Sequence, residues 1–132
     1  GLSGGAMPHA MGVTLGLAKF NQIIKLDKAS RTAVVQCGVR NLAISEAAAP
    51  LGLYYAPDPS SQIACTIGGN VAENSGGVHC LKYGLTVHNI QKVRALTIEG
   101  DAIEPTTTNS VAMNTCAGPS WTIRPGGRLL LR

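Results

Sequence analysis

The sequence predicts an α+β fold, in which a mixed or antiparallel sheet is accompanied by few helices. Several short segments have the apolar pattern of strands, and one segment has the pattern of a helix. Glycine and proline are frequent, with 16 and 7 among 132 residues, so the elements between them must be short. A chain of this length supplies one domain with its own core.

The first half of the chain is predicted to contain three short strands. Apolar residues alternate with small or polar ones over residues 13–18, which is typical of a half-buried strand. Residues 20–26 and 32–36 are rich in apolar and β-branched side chains, and the polar residues 27–30 join them. This arrangement predicts a hairpin of sequential antiparallel strands.

One helix is predicted with both of its ends. Asn41 is a suitable N-cap, and apolar residues then follow through Ala48 at a spacing that makes one apolar face. Pro50 is tolerated only near the last turn, and Gly52 supplies a left-handed stop. We therefore expect the helix to end between residues 49 and 51.

The second half begins with another predicted strand. Residues 90–98 are β-branched and apolar with charged residues interleaved, and residues 99–101 form a turn signal before residues 102–104. The sequence therefore predicts a long strand, a turn and a short returning strand.

Between these halves lies an almost uncharged stretch, residues 57–77, with two Gly-Gly pairs. Glycine lets backbone N–H groups approach a ligand, and successive N–H groups attract phosphate. Residues 70–75 are predicted to form one or two helical turns, with Gly68 and Gly69 at the N-terminus, where free N–H groups favour an anion. The alternative is a pair of tight turns between packed elements, which is the commoner role of isolated glycine runs.

Four short motifs follow one another in this region. They are Pro-Asp-Pro-Ser-Ser at residues 57–61, Thr-Ile-Gly-Gly-Asn at 66–70, Asn-Ser-Gly-Gly at 74–77 and Lys-Tyr-Gly at 82–84. In order and spacing this string resembles the signature of the FAD-binding domain shared by the p-cresol methylhydroxylase and vanillyl-alcohol oxidase flavoproteins. Residues 1–5 are similar to the end of that domain's other pyrophosphate loop.

The resemblance implies that FAD is the cofactor and that the fold is a partial domain of this type. It assigns no catalytic residue and no metal ligand to this chain, and His79 is expected to be a solvated or packing residue rather than a covalent flavin link. The cofactor-binding residues that it implies are Ser3, Gly4, Gly5, Pro57, Asp58, Ser60, Ser61, Thr66, Ile67, Gly68, Gly69, Asn70, Asn74, Gly76, Gly77, Tyr83 and Gly84.

Within the family, residues 76–89 resemble the bacterial glycolate oxidase D subunits most, and cytochrome-linked D-lactate dehydrogenases are the alternative. This resemblance implies oxidation of a small 2-hydroxy acid, glycolate to glyoxylate, beside companion flavin-domain and iron–sulfur subunits. A truncated product without catalytic activity is a third hypothesis. Because the resemblance begins inside a loop, we expect a fragment that is inactive alone.

The resemblance covers residues 1–104 and stops there. Residues 105–132 are polar and lack clean periodicity, so we expect an irregular tail that packs poorly against the sheet. A reading-frame change or an unrelated graft would account for it. The apolar run at residues 129–131 is the one part of the tail expected to dock.

Charge and cysteine content exclude other classes of protein. Eleven Lys and Arg against seven Asp and Glu give a net charge of +4, but the charges are scattered and aromatics make up only 4%. A nucleic-acid surface is therefore not expected.

Four cysteines without a Cys-x-x-Cys pair indicate neither zinc nor an iron–sulfur centre, and they suit reduced thiols. We expect a cytoplasmic protein that contacts the membrane only through partner subunits, since no apolar run approaches about 18 residues.

Overall fold

The computed structural model describes residues 7–104 and, as backbone strands, residues 122–123 and 127–130. Within these residues, two short strands are followed by a run of short helices and then by five more short strands, and this confirms the predicted α+β class. The elements are β1 (Ile23–Asp27), β2 (Thr32–Val35), α1 (Asn41–Ala48) with a 3-10 turn (Ala49–Leu51), α2 (Ile67–Glu73), α3 (Cys80–Tyr83), α4 (Thr86–Asn89), β3 (Ile90–Lys92), β4 (Ala95–Leu96), β5 (Ala102–Ile103), β6 (Thr122–Ile123) and β7 (Gly127–Leu130).

The strands β1 and β2 form the predicted antiparallel hairpin, although its first strand begins at Ile23 rather than at residue 20. A side chain closes the turn between the two strands, because Asp27 Oδ1 accepts the Ser30 N–H at 3.1 Å. This hydrogen bond holds the pKa of the Asp27 carboxyl below its usual value. Arg31 completes the turn with a positive φ of 50°.

Helix α1 ends as predicted, but it does not begin with the predicted cap. The 3-10 turn follows Ala48, and Gly52 stops it with a left-handed φ of 74°. At the other end Arg40 occupies the cap position and makes no side-chain cap. Asn41 is instead the first helical residue and is buried. The prediction that Asn41 caps the helix is wrong, because its amide is used in a buried network described below.

The strands form two antiparallel sheets. One has the order β1-β2-β7-β3 and the other has the order β5-β4-β6. The predicted single strand over residues 90–98 is wrong in its extent, because β3 and β4 are separated at Val93 and Arg94 and belong to different sheets. The predicted turn at residues 99–101 is present but lies at residues 97–100, where the Gly100 N–H donates to the Thr97 carbonyl oxygen at 3.1 Å, and Leu96 pairs with Ala102 across it.

The tail is not irregular throughout. Strand β7 lies between β2 and β3 and pairs antiparallel with both, and β6 pairs with β4. The prediction of a poorly packed tail is therefore wrong at residues 122–123 and 127–130, where neighbouring strand edges supply hydrogen-bond partners that the local sequence does not reveal. Docking of the terminal apolar run is confirmed for residues 129–130. Residues 105–121, 124–126 and 131–132 lie outside the described residues.

The predicted strand over residues 13–18 is also wrong. This segment is irregular, and the structure describes no strand paired with it. Val13 is 97% exposed and Leu15 is 60% exposed, so the alternating pattern does not correspond to a buried face. The chain is next anchored at Phe20, whose carbonyl accepts the Gly38 N–H at 2.8 Å.

The core lies between the hairpin, α1 and the first turn of α2. Ala33, Val35, Ile44, Tyr55 and Ile67 are all at most 4% exposed and belong to one packed cluster. Because Ile67 is part of this cluster, burial of its side chain fixes the position of the first turn of α2. Among the described helices, none has the length and apolar character needed to span a bilayer.

Candidate functional site

A cavity of about 740 Å³ lies where α2 meets the loops that contain residues 59–61 and 75–78. This volume is within the range of cofactor pockets, roughly 300–1,000 Å³. The lining residues are Pro59, Ser60, Ser61, Ala64, Cys65, Thr66, Gly69, Asn70, Glu73, Ser75, Gly76, Gly77 and Val78. The central motifs of the sequence therefore meet at one concave surface.

The first wall of the cavity is the start of α2, where every N–H group of the first turn already has an acceptor. The predicted helix is present and begins at Ile67, with Thr66 as its cap. The free N–H groups predicted at this helix end are not present, because the loop before α1 and the Thr66 cap supply their acceptors. The bonds are Ile67 N–H to Val39 O at 2.9 Å, Gly68 N–H to Cys37 O at 2.9 Å, Gly69 N–H to Thr66 Oγ1 at 3.4 Å and Asn70 N–H to Thr66 O at 3.0 Å.

The second wall consists of two loops with unused donors. Among the described residues, the backbone N–H groups of Ser60, Ser61, Gly76 and Gly77 have no acceptor, and neither do the two serine hydroxyls. Exposed donors of this kind are satisfied by solvent or by an anionic ligand. The phosphate-type donors of this site therefore lie in the loops rather than at the helix end.

The glycines of the two Gly-Gly pairs are required for different reasons. A Cβ at Gly68 would lie 2.8 Å from the Cys37 carbonyl oxygen, and one at Gly77 would overlap the Pro57 carbonyl oxygen. These two positions must be glycine because the protein's own backbone occupies the space. A Cβ at Gly69 would meet only Thr66 Oγ1, at 3.5 Å. Since Gly69 lines the cavity, the space above it is available to a ligand.

A buried amide network supports the helix wall. Asn70 Nδ2 donates to Asn41 Oδ1 at 2.7 Å, and Asn41 Nδ2 donates to the Cys65 carbonyl oxygen at 3.2 Å. Asn41 and Asn70 are 1% and 4% exposed. This network joins α1, α2 and the segment between them, so it holds Asn70 and Cys65 in the cavity wall.

Tyr55 lies behind the same wall. Its hydroxyl is buried near Thr86 and Asn70 but has no hydrogen-bond partner among the described residues. Thr86 Oγ1 instead donates to the Ser75 carbonyl oxygen at 2.7 Å. Burial raises the pKa of Tyr55 to about 12, because the phenolate would be desolvated there.

The structure divides the predicted cofactor-binding residues into three groups. Ser60, Ser61, Thr66, Gly69, Asn70, Gly76 and Gly77 line the cavity. Pro57, Asp58, Ile67, Gly68, Asn74, Tyr83 and Gly84 lie behind or beside it. Ser3, Gly4 and Gly5 lie outside the described residues.

Residues of the second group shape the loops that line the cavity. Asn74 ends α2 in a left-handed conformation, and its Oδ1 accepts the Val87 N–H at 3.0 Å. Gly84 has a φ of 80°, and a Cβ there would lie 2.7 Å from His88 Nδ1. Tyr83 makes edge contacts with Tyr54 and His79 at centroid distances of 6.4 Å. A hydrogen bond with Tyr83 raises the pKa of Tyr54.

Sequence reasoning missed six lining residues, namely Pro59, Ala64, Cys65, Glu73, Ser75 and Val78. Five of them lie inside or next to a recognised motif and Ala64 lies between two motifs, so proximity to the motifs was the available signal. Glu73 is the one carboxylate in the described lining, and it adds negative charge beside the donors. The capacity of the cavity to bind an anion therefore depends on neutral N–H and O–H groups.

The cysteine and histidine side chains of the described residues show no metal-type arrangement. No three His, Cys, Asp or Glu side chains are grouped as ligands within that part of the chain. Cys37, Cys65 and Cys80 form no disulfide, and burial raises the pKa of the Cys37 thiol.

Known proteins resemble this chain over most of its length. It is 65% identical to glycolate oxidase subunit GlcD of Escherichia coli K12 over 103 residues, which are 78% of this chain and 21% of the relative. It is 42% identical to a D-lactate dehydrogenase of Anaerostipes hadrus over 98 residues, 74% of this chain and 20% of the relative. The chain thus spans about a fifth of the length of these relatives.

A solved structure of an alkyldihydroxyacetonephosphate synthase has the same fold. It superposes with a TM-score of 0.81 at 21% identity, over 97% of this chain and 26% of that one. The FAD binding domain family matches residues 1–105, which include both walls of the cavity. The chain therefore belongs to the FAD binding domain family, and its cofactor is FAD.

Proposed function

We propose that the cavity binds the pyrophosphate of FAD and that the loop donors hold it. The observation that carries this proposal is that Ser60, Ser61, Gly76 and Gly77, whose N–H groups have no acceptor among the described residues, all line one cavity. A pyrophosphate needs several donors without bulky side chains, and serine and glycine provide them. The open space above Gly69 accommodates the ligand against the helix wall.

The other predicted residues complete this site in the proposal. Pro57, Asp58, Ile67, Gly68, Asn74, Tyr83 and Gly84 fix the loops and helix that surround the ligand. Ser3, Gly4 and Gly5 supply part of the second pyrophosphate loop. We place the FAD-binding part at residues 1–104, which the family match over residues 1–105 supports, and residues 105–132 outside it.

For the whole protein we propose oxidation of a small 2-hydroxy acid, with glycolate converted to glyoxylate. The 65% identity to a glycolate oxidase subunit supports this choice. When bound, FAD accepts the hydride that leaves the hydroxyl-bearing carbon. This chain's residues bind and orient the cofactor, and we assign none of them as a catalytic residue. D-lactate is the alternative substrate, supported by the 42% identity to a D-lactate dehydrogenase.

We also propose that the protein works with companion flavin-domain and iron–sulfur subunits of a glycolate oxidase complex. The similarity to a protein described as a glycolate oxidase subunit supports the need for partners. We propose a cytoplasmic location with membrane contact through those subunits. The described cysteines are compatible with a reducing compartment, because none of them forms a disulfide.

Cofactor binding is tested by titrating the purified, FAD-free full-length protein with FAD and following flavin fluorescence. We expect wild type to bind one FAD and Gly69→Val to lose binding, because the valine side chain fills the space above Gly69. Gly16→Val is the matched control, since Gly16 is exposed and a Cβ there has no neighbour within 4 Å. Stoichiometric FAD binding by Gly69→Val would refute this placement of the pyrophosphate.

Substrate choice is tested by dye-linked oxidation with glycolate and D-lactate in parallel. We expect the full-length protein to have the higher kcat/KM for glycolate, and a preference for D-lactate would favour the alternative. The 132-residue chain alone should show no turnover, because most of the positioning that gives an enzyme its rate is absent from a fifth of the protein. Measurable turnover by the isolated chain would contradict that expectation.

A further inference from the structure

Asp58 connects the two loops of the cavity by three contacts. Its carbonyl oxygen accepts the Val78 N–H at 3.0 Å, and its Oδ2 lies 3.4 Å from His79 Nδ1. Gly77 packs directly against the Pro57 and Asp58 backbone, where no Cβ would fit. The contacts of Asp58 therefore set the separation between residues 59–61 and residues 75–78.

The backbone of Asp58 is held in an unfavourable conformation. Its φ is +47°, in the left-handed region, which Asp and Asn tolerate better than other residues with a side chain. Prolines on both sides, Pro57 and Pro59, restrict the flanking φ angles and stiffen the segment. Strain of this kind persists only where surrounding contacts determine it, and it is common beside ligand sites.

The contact between Asp58 and His79 lies beside the cavity and outside the buried core. Neither side chain is fully buried, with 46% of His79 and 27% of Asp58 exposed. His79 also makes an edge contact with Tyr83 at 6.4 Å, which fixes the position of its ring. The pair lies directly beside Gly76 and Gly77, whose N–H groups are among the unused donors.

We propose that Asp58 and His79 are positioning residues for FAD. The Asp58 side chain, held by the left-handed backbone and in contact with His79, fixes the distance between the N–H groups of residues 60–61 and those of residues 76–77. The donors can then contact one pyrophosphate together. This proposal rests on the proposed FAD site, and it concerns residues that do not themselves line the cavity.

The first measurement does not need the cofactor. Hydrogen exchange of the Val78 amide in the FAD-free full-length protein reports whether the two loops remain joined. We expect exchange of Val78 to become on the order of tenfold faster in Asp58→Ala, because alanine disfavours the left-handed conformation. Asp58→Asn should stay within about twofold of wild type, since asparagine keeps that conformation and an acceptor.

The second measurement is a double-mutant cycle on the FAD dissociation constant. Asp58→Gly and His79→Ala each remove the side-chain contact without adding strain, and each should weaken FAD binding by about threefold to fivefold, as expected for a partly exposed pair. The double variant should be no weaker than either single one. Lys25→Gln is the control, because it breaks a surface ion pair with Asp27 of 3.6 Å far from the cavity loops.

The outcomes separate this inference from the proposed function. Fast Val78 exchange in Asp58→Ala, normal exchange in Asp58→Asn and a coupled cycle support the positioning role. Wild-type exchange in Asp58→Ala, or strictly additive effects of the two single variants, overturn it. If wild type itself binds no FAD, the proposed function fails, and the Val78 exchange rates still decide whether Asp58 joins the loops.

Discussion

Both walls of the cavity contain a Gly-Gly pair, but the backbone N–H groups have acceptors in one wall and none among the described residues in the other. At the start of α2 each N–H group already donates to the protein, two of the four to the loop before α1 and two to Thr66. In the loops around residues 60 and 76 the N–H groups have no acceptor among the described residues. A Gly-Gly pair at a helix start therefore does not by itself provide an anion site. What matters is whether another segment has already supplied the acceptors.

The largest effect should come from Gly77→Ala in the loop wall. Its Cβ would overlap the Pro57 carbonyl oxygen, so the backbone of both loops must move. We expect a loss of about 3 kcal/mol in the free energy of unfolding, measured by urea denaturation, and no FAD retention. Gly76→Ala is the comparison, because its Cβ would meet side chains rather than backbone, namely the end of Leu85 at 3.0 Å and Cys80 Sγ at 3.5 Å. Equal losses for the two variants would show that backbone packing is not what requires glycine at residue 77.

Asn41→Ala should have the next largest effect and acts on the helix wall. Removing this amide leaves the buried Asn70 Nδ2 without its acceptor and takes one of two donors from the Cys65 carbonyl oxygen, which keeps the Asn41 backbone N–H at 3.2 Å. We expect the free energy of unfolding to fall by about 2 kcal/mol. Glu46→Ala, in the exposed part of the same helix, controls for helix propensity. A loss no greater than that of the control would show that the helix wall does not depend on the amide network.

The comparison of the two walls also shows which features of the structure can be predicted from the sequence. The hairpin, the end of α1 at Gly52 and the short helix after Thr66 were predictable, because turn residues, Gly and caps act locally. The satisfied donors at Ile67 and Gly68 were not, because their acceptors at Val39 and Cys37 lie about thirty residues earlier in the chain. The same reason explains the errors at residues 13–18 and 90–98, where pairing partners decide whether an apolar segment becomes a strand.

Gly69→Ala should separate stability from binding within the helix wall. Its Cβ has no close contact in the protein, and alanine favours a helix over glycine by about 1 kcal/mol. We expect the FAD-free protein to become more stable by up to about 1 kcal/mol, while FAD binding becomes weaker. Gly68→Ala should destabilise the FAD-free protein, because its Cβ would lie 2.8 Å from the Cys37 carbonyl oxygen. Thermal unfolding without FAD measures both, and a gain in stability for Gly68→Ala would contradict the assignment.

The smallest effect at neutral pH is expected for Tyr55→Phe, behind the helix wall. Because the Tyr55 hydroxyl is buried without a hydrogen-bond partner among the described residues, its removal should change the free energy of unfolding by less than about 1 kcal/mol at pH 7. Burial raises the pKa of Tyr55 to about 12, above the value near 10 of an unfolded chain. The folded protein therefore keeps the proton longer, and wild type should lose stability as the pH rises from 10 towards 12. Unfolding measured across that range should show this loss in wild type and a reduced loss in Tyr55→Phe. An identical alkaline loss in Tyr55→Phe would mean that the pKa of Tyr55 is not raised in the folded protein, and that its hydroxyl is not desolvated behind the helix wall.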